Sequence, residues 1–200
     1  MKAPTIIIAD FESVFIPEIW PSVGEKVGIK ELRLSTRDVS NYDQLMRGRL
    51  KILSENNLSL EKIQSVIKTL KPLEGAVAFM DWLRARYPVI ILSDSYYEFA
   101  GAFMEAFRYP TLLCNTLEAD TDGRIIDYHL SAEKEKVVRA LKGIGFRVMA
   151  VGDSYNDTAM FKAADFGIFF NCSKNVADEF PQFPSFQTYE EVQQFIESKA

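Results

Sequence analysis

"IIIADFESVFIPEIW" (residues 6–20) decides the fold. Three branched apolar residues run into Ala9, a stretch too short for a stable helix and suited to a buried strand. Two acids follow two positions apart, Asp10 and Glu12. Charge at the exit of a buried strand is costly unless it is solvated or partnered. Taken alone, the pair reads most simply as solvated acids at a strand end, so the question passes to the rest of the chain.

Similar apolar runs recur at 89–92, 111–114, 148–151 and 167–170. Helical patterns lie between them at 74–87, 96–107, 133–145 and 156–164, with Gly143 or Gly145 as a stop in the third. Alternating strands and helices imply an α/β fold, a doubly wound parallel sheet covered on both faces. Residues 16–73 break the rhythm. They hold helical patterns at 42–57 and 60–70, with Ser59 as an expected N-cap and Pro72 as a stop. The expected organisation is a core of residues 1–15 and 74–200 with a small helical insertion, 16–73. A second break, 115–130, carries "TDG" (121–123), which reads as a hairpin turn.

Composition narrows the function. A chain of 200 residues suits one domain with or without a small insertion, and its 48% hydrophobic content supports an ordinary core. A net charge of -5 without a basic stripe argues against nucleic-acid binding, yet allows a local positive site for a small anion. Cys114 and Cys172 lack CxxC spacing, which fits a reducing compartment. The N-terminus, with Lys2, shows no signal-peptide pattern, and no stretch reaches the roughly 20 apolar residues of a membrane span. A cytoplasmic protein that does not enter the membrane is the expectation. The single histidine, His129, lies in a polar neighbourhood and reads as a surface residue, which disfavours a histidine-based triad.

Four places carry chemistry. Asp10 and Glu12 stand where ligands bind in open α/β sheets, and residues two apart in extended chain point the same way. A carboxylate there can act as nucleophile and a second as acid and base. Ser93 in "VIILSDSYYEF" (89–99) ends a strand just before a helix start, where a hydroxyl and free N–H groups suit an anion. In "VMAVGDSYND" (148–157), Gly152 admits close backbone approach, and Asp153 and Asp157 are one helical turn apart, an oxygen set that suits a hard cation such as Mg²⁺. In "SAEKEKVVRAL" (131–141), Lys134 or Lys136 at the start of a helix needs an anionic partner, because the helix dipole opposes a cation there. Each has a plainer reading as a cap or a solvated charge. Together they supply what phosphoryl transfer needs: a nucleophile, an acid/base, a phosphate cradle, a cation and a metal ligand.

This order of motifs resembles the haloacid dehalogenase superfamily: Asp10-Phe-Glu12, Ser93, Lys134 and Gly152-Asp153-Ser-Tyr-Asn156-Asp157. The helical stretch after the first motif is similar to the cap of the phosphoserine phosphatase branch. The blocks "IPEIW" (16–20), "LKPLEGAV" (70–77), "GDSYNDT" (152–158) and "EFPQFP" (179–184) are similar to the bacterial members that combine phosphoserine phosphatase and homoserine phosphotransferase activities. The resemblance implies a Rossmann-like core and Mg²⁺ held by the Asp10 carboxylate, the Glu12 backbone carbonyl and Asp153. It implies Asp10 as nucleophile, forming an aspartyl-phosphate, and Glu12, where most of the superfamily has Asp, as acid/base. Ser93 and Lys134 would hold phosphate, Asp157 would orient the lysine and metal shell, and Asp94 and Asn156 would lie near the substrate. Arg49 would clamp the carboxylate of phosphoserine and Glu18 would meet its ammonium. Homoserine is then a candidate second acceptor beside water, and monomer and dimer both stay open. The alternatives are a phosphatase of another small phosphomonoester and a catalytically silent binding protein on the same fold.

Overall fold

The computed structural model describes residues 3–35, 38–39, 41–131 and 133–200, so the reading of the extreme N-terminus at Lys2 lies outside it. In chain order the strands are β1 (Thr5–Ala9), β2 (Val89–Tyr96), β3 (Thr111–Ala119), β4 (Ile125–His129), β5 (Arg147–Gly152), β6 (Phe166–Phe170) and β7 (Ser185–Phe186). The helices are α1 (Ile19–Val27), α2 (Tyr42–Glu55), α3 (Leu60–Ile67), α4 (Ala76–Arg84), α5 (Tyr97–Ala100), α6 (Lys134–Gly143), α7 (Thr158–Ala163), α8 (Lys174–Glu179) and α9 (Tyr189–Lys199). The strands form one sheet in the order β4-β3-β2-β1-β5-β6-β7. Every pairing is parallel except β3 with β4.

The period of two along the strands explains why the sheet is buried on both sides. Ile7, Ala9, Met149 and Val151 belong to one apolar cluster, which also takes in Phe79, Leu83 and Ile196 from α4 and α9. Their neighbours Ile6, Ile8, Val148 and Ala150 belong to a second, with Val138, Met160 and Phe161 from α6 and α7. The first cluster continues into the helical stretch through Ile19, Trp20, Met46, Leu50, Ile63 and Ile67. That stretch contains no strand among its described residues, and Ser59 caps α3 by accepting from the Lys62 N–H at 3.3 Å. The hairpin is also present: Gly123, at φ 76°, donates to the Asp120 carbonyl between β3 and β4.

Three local expectations are corrected, and one strand goes unread. The helix expected over 96–107 is one turn of α-helix, continued by a 3₁₀ turn at Gly101–Phe103. Phe103 and Phe107 instead pack edge-on against Phe11 at 6.2 and 5.7 Å, and tertiary packing overrides the local helical pattern. β2 does not end at Ser93 but runs on to Tyr96, with its pairing to β3 irregular between Leu92 and Tyr96. Asp10 and Glu12 do not lie in a continuous strand, because β1 ends at Ala9 and the backbone bends at Phe11. β7, two residues long, has too little periodicity to be read from sequence.

Gly167 in β6 has no room for a side chain, since a Cβ there would sit 2.4 Å from the Phe161 Cβ. Overpacking of this kind costs about 1–3 kcal/mol. Gly167→Ala should therefore lower the free energy of urea unfolding by that amount, and an unchanged midpoint would show that the α7–β6 contact has slack.

Candidate active site

The central strand, β1, lies between β2 and β5, and the carboxyl ends of these three strands meet at one edge of the sheet. Asp10 follows β1 directly, and its N–H donates to the Val151 carbonyl at 2.9 Å, fixing its backbone to β5. Its Oδ1 accepts from the Phe11 N–H at 2.7 Å and its Oδ2 lies 3.1 Å from Lys134 Nζ.

Lys134 is the first residue of α6 and its side chain is buried. Its ammonium also touches Asp94 Oδ2 at 3.1 Å and Asp157 Oδ1 at 2.8 Å. Burial works against this charge, but Asp10, Asp157 and Asp94 outweigh it and hold the ammonium well above the usual lysine range. Lys136 points to solvent, paired with Glu133, so of the two candidate lysines it is Lys134 that reaches the site.

The GDSYND turn explains itself in atoms. Asp157 is fully buried, and its Oδ2 accepts from the Asp153 and Ser154 N–H groups at 2.9 and 3.1 Å. The carboxylate therefore folds back onto the turn that precedes α7. The expectation that Asp153 and Asp157 share a helix face is corrected in this way: the short side chain finds nearer partners in the turn's own backbone. Gly152 makes the return possible, because a Cβ on it would lie 2.3 Å from the Asp157 carboxyl carbon.

Carboxylate oxygens of Asp10, Asp153 and Asp157 all lie within 4.8 Å of one another. With Asp94 they outnumber the one ammonium among them. Burial, with Asp157, Asp94 and Asp153, pushes the Asp10 carboxyl well above its ordinary value, and Lys134 offsets this only in part. A buried set of oxygen donors with more negative than positive charge suits a hard divalent cation.

Glu12 is held by a different element. Its Oε2 accepts from the Ile19 N–H at 2.9 Å, at the start of α1. Burial raises its carboxyl above the usual range and the Ile19 bond counters part of that rise. Glu18, just before α1, lines the same cavity, and its carboxylate has no ion-pair or hydrogen-bond partner among the described residues.

That cavity, of about 870 Å³, is lined by Asp10, Glu12, Glu18, Arg49, Ser93, Asp94, Asp153 and Asn156. Asp157 and Lys134 stand behind this lining. Ser93 is buried, and its Oγ accepts from the Ser95 N–H at 3.2 Å. Arg49, on α2, is 6% exposed. Its guanidinium lies over the Trp20 ring at 4.8 Å and donates to the Leu34 carbonyl at 2.6 Å and weakly to Met46 Sδ at 3.4 Å. Its Nε is buried without a partner, and no carboxylate pairs with it among the described residues.

Sequence reading missed Tyr42, Tyr96 and Asn115 in the lining. Tyr42 was open to discovery, since Tyr42, Leu45 and Arg49 repeat at helical spacing and face the cavity together. Asn115 gave no signal: its Nδ2 donates to the Asp94 carbonyl at 2.9 Å across two strands distant in sequence. His129 is exposed beside Glu118, away from the cavity lining. Both cysteines are buried and free, and no helix among the described residues is long and apolar enough to cross a membrane.

Comparison with known proteins agrees with this geometry. The model of the haloacid dehalogenase-like hydrolases matches residues 5–165. A phosphoserine phosphatase of Pseudomonas syringae pv. tomato is 49% identical over 98% of this chain and 84% of its own. The phosphoserine phosphatase ThrH of Pseudomonas aeruginosa is 51% identical over 94% of this chain and 92% of its own. Among solved structures, a phospho-aspartyl intermediate analogue of a phosphoserine phosphatase matches with a TM-score of 0.75 at 22% identity, covering 97% of this chain and 99% of that one. A substrate-bound phosphoserine phosphatase complex gives the same TM-score and identity over 98% and 99% of the two chains. At that identity the two structures speak for the fold. The matched residues contain the strand-end acids, the buried lysine and the GDSYND turn, and the chain belongs to the haloacid dehalogenase-like hydrolases.

Proposed function

We propose that the chain is a Mg²⁺-dependent phosphoserine phosphatase that works through a phosphorylated Asp10, and that homoserine can replace water as the final acceptor. The observation that carries the reading is Asp10 at a strand end, 3.1 Å from a buried ammonium, in a cavity whose other wall holds an arginine with no carboxylate partner. The relatives named as phosphoserine phosphatases, 49 and 51% identical along nearly the whole chain, support it.

In this mechanism Asp10 attacks phosphorus, the ester P–O bond breaks, and an acyl-phosphate forms on Asp10. Glu12 protonates the departing serine oxygen. Burial raises its carboxyl above the usual range, which is the direction a proton donor needs. Glu12 then takes a proton from the incoming water as the P–O bond to Asp10 breaks, and phosphate leaves. Lys134 and the Ser93 hydroxyl stabilise the charge on the transferring phosphoryl oxygens, with Asp157 and Asp94 holding the lysine in place. Asn156 lies near the same oxygens. Mg²⁺, when bound, supplies further positive charge there, and Asp10, Asp153 and the Glu12 carbonyl would hold it. The oxygen cluster and its excess of negative charge fit that ion.

Residues 16–73 serve in this reading as a cap that selects the substrate. Arg49 binds the α-carboxylate and Glu18 the α-ammonium. Homoserine has the same two groups and one more methylene before its hydroxyl, so the same wall can hold it where serine leaves. Positioning of this kind can outweigh the abundance of water.

Two experiments test the proposal. With phosphoserine and Mg²⁺ the protein should release serine and phosphate, and added millimolar homoserine should divert part of the phosphate into phosphohomoserine. No release from phosphoserine overturns the substrate, and release without any phosphohomoserine limits the acceptor to water. Arg49→Ala should cost tenfold or more in kcat/KM on phosphoserine, since a charge-assisted hydrogen bond is worth roughly 1.5–3 kcal/mol. Its turnover of a generic aryl phosphate should change little, and equal losses on both substrates would give Arg49 a structural role.

A further inference from the structure

The cavity contains a feature that the catalytic groups do not use. The hydroxyls of Tyr42, on α2, and Tyr96, at the end of β2, are 2.7 Å apart, and both residues line the cavity. Each phenol has one proton to donate. The bond between them uses one of the two, and neither hydroxyl has another hydrogen-bond partner among the described residues. One O–H donor is therefore left over.

The surroundings fix where this donor stands. Tyr42 shares the cavity-facing side of α2 with Arg49, and Tyr96 lines the same cavity. The rings are held firmly. Both meet Tyr128 edge-on, at 5.8 and 6.5 Å, Tyr96 also meets Phe99 at 5.7 Å, and Tyr128 donates to Asp43 Oδ1 at 2.7 Å. Burial raises the pKa of both phenols above the ordinary value, so they remain donors throughout the neutral range.

We propose that the spare proton of the Tyr42–Tyr96 hydroxyl pair donates to the substrate carboxylate beside Arg49, making the pair a specificity determinant for phosphorylated amino acids. A carboxylate has two oxygens. One takes N–H groups of Arg49, which lines the cavity, and the other takes the phenol. The proposal rests on the phosphoserine reading and deepens it. It gives the cavity a second point of contact that recognises an acid and not merely an amine or a phosphate.

Phenylalanine removes a hydroxyl and keeps the ring packing, so Y42F, Y96F and the double variant Y42F/Y96F test it. The substrates are phosphoserine, phosphoethanolamine, which keeps the ammonium and lacks the carboxylate, and an aryl phosphate. The double variant should lose tenfold or more in kcat/KM on phosphoserine, chiefly through KM, and less than twofold on the other two. Each single variant should lose less than the double, because the remaining hydroxyl then has its proton free for the carboxylate. Equal losses on all three substrates, or no loss on phosphoserine, overturn the proposal. If the unaltered protein shows no preference for phosphoserine over phosphoethanolamine, it is the phosphoserine reading that fails, and this inference with it.

Discussion

One buried ammonium holds the site together. Lys134 lies among Asp10, Asp94 and Asp157, groups carried by three separate strand ends and turns. Burying Lys134, Asp10 or Asp157 alone would be prohibitive, and breaking a buried pair from one side costs about 3–5 kcal/mol. The arrangement therefore constrains the fold as much as the chemistry. It ties the start of α6 to β1 and to the turn after β5. It requires Gly152, because only a residue without a Cβ lets Asp157 turn back to the lysine and to two backbone N–H groups.

The same cluster leaves its charge unbalanced, and the wall formed by α1 and α2 leaves its charges unpaired. At the sheet edge the carboxylates outnumber the ammonium, a deficit of positive charge that a divalent cation would meet. On α2 the Arg49 guanidinium lies buried with no carboxylate in ion-pair contact among the described residues, a cation that an anion would meet. Glu18 adds a carboxylate with no partner beside it. With a divalent cation bound at the sheet edge, a ligand with a phosphate at one end and a carboxylate and ammonium at the other would complement all three. Zwitterionic phosphoserine has that layout, which is why the cavity supports the substrate more strongly than any single residue does.

Most of this is legible in the sequence. The branched runs into Ala9, Leu92 and Val151 mark parallel strands because a strand buried on both faces must be apolar at every position. The positions of Asp10, Ser93 and Asp153 follow from those strands. What could not be read depends on contacts between distant segments. The choice of Lys134 over Lys136 turns on which side of α6 faces β1. The single turn of α5 follows from Phe103 and Phe107 packing against Phe11. The Tyr42–Tyr96 bond joins residues 54 positions apart, and Glu12 finds its partner on α1, a helix that sequence reading did not single out.

The central claim is that Asp10 becomes phosphorylated during turnover. It is tested by mixing the protein with ³²P-labelled phosphoserine and Mg²⁺, quenching in acid within milliseconds, and mapping the labelled peptide. Label that is released by hydroxylamine and confined to the peptide containing Asp10 is the expected result. Steady turnover with no label on the protein, or label on a different residue, would contradict the account.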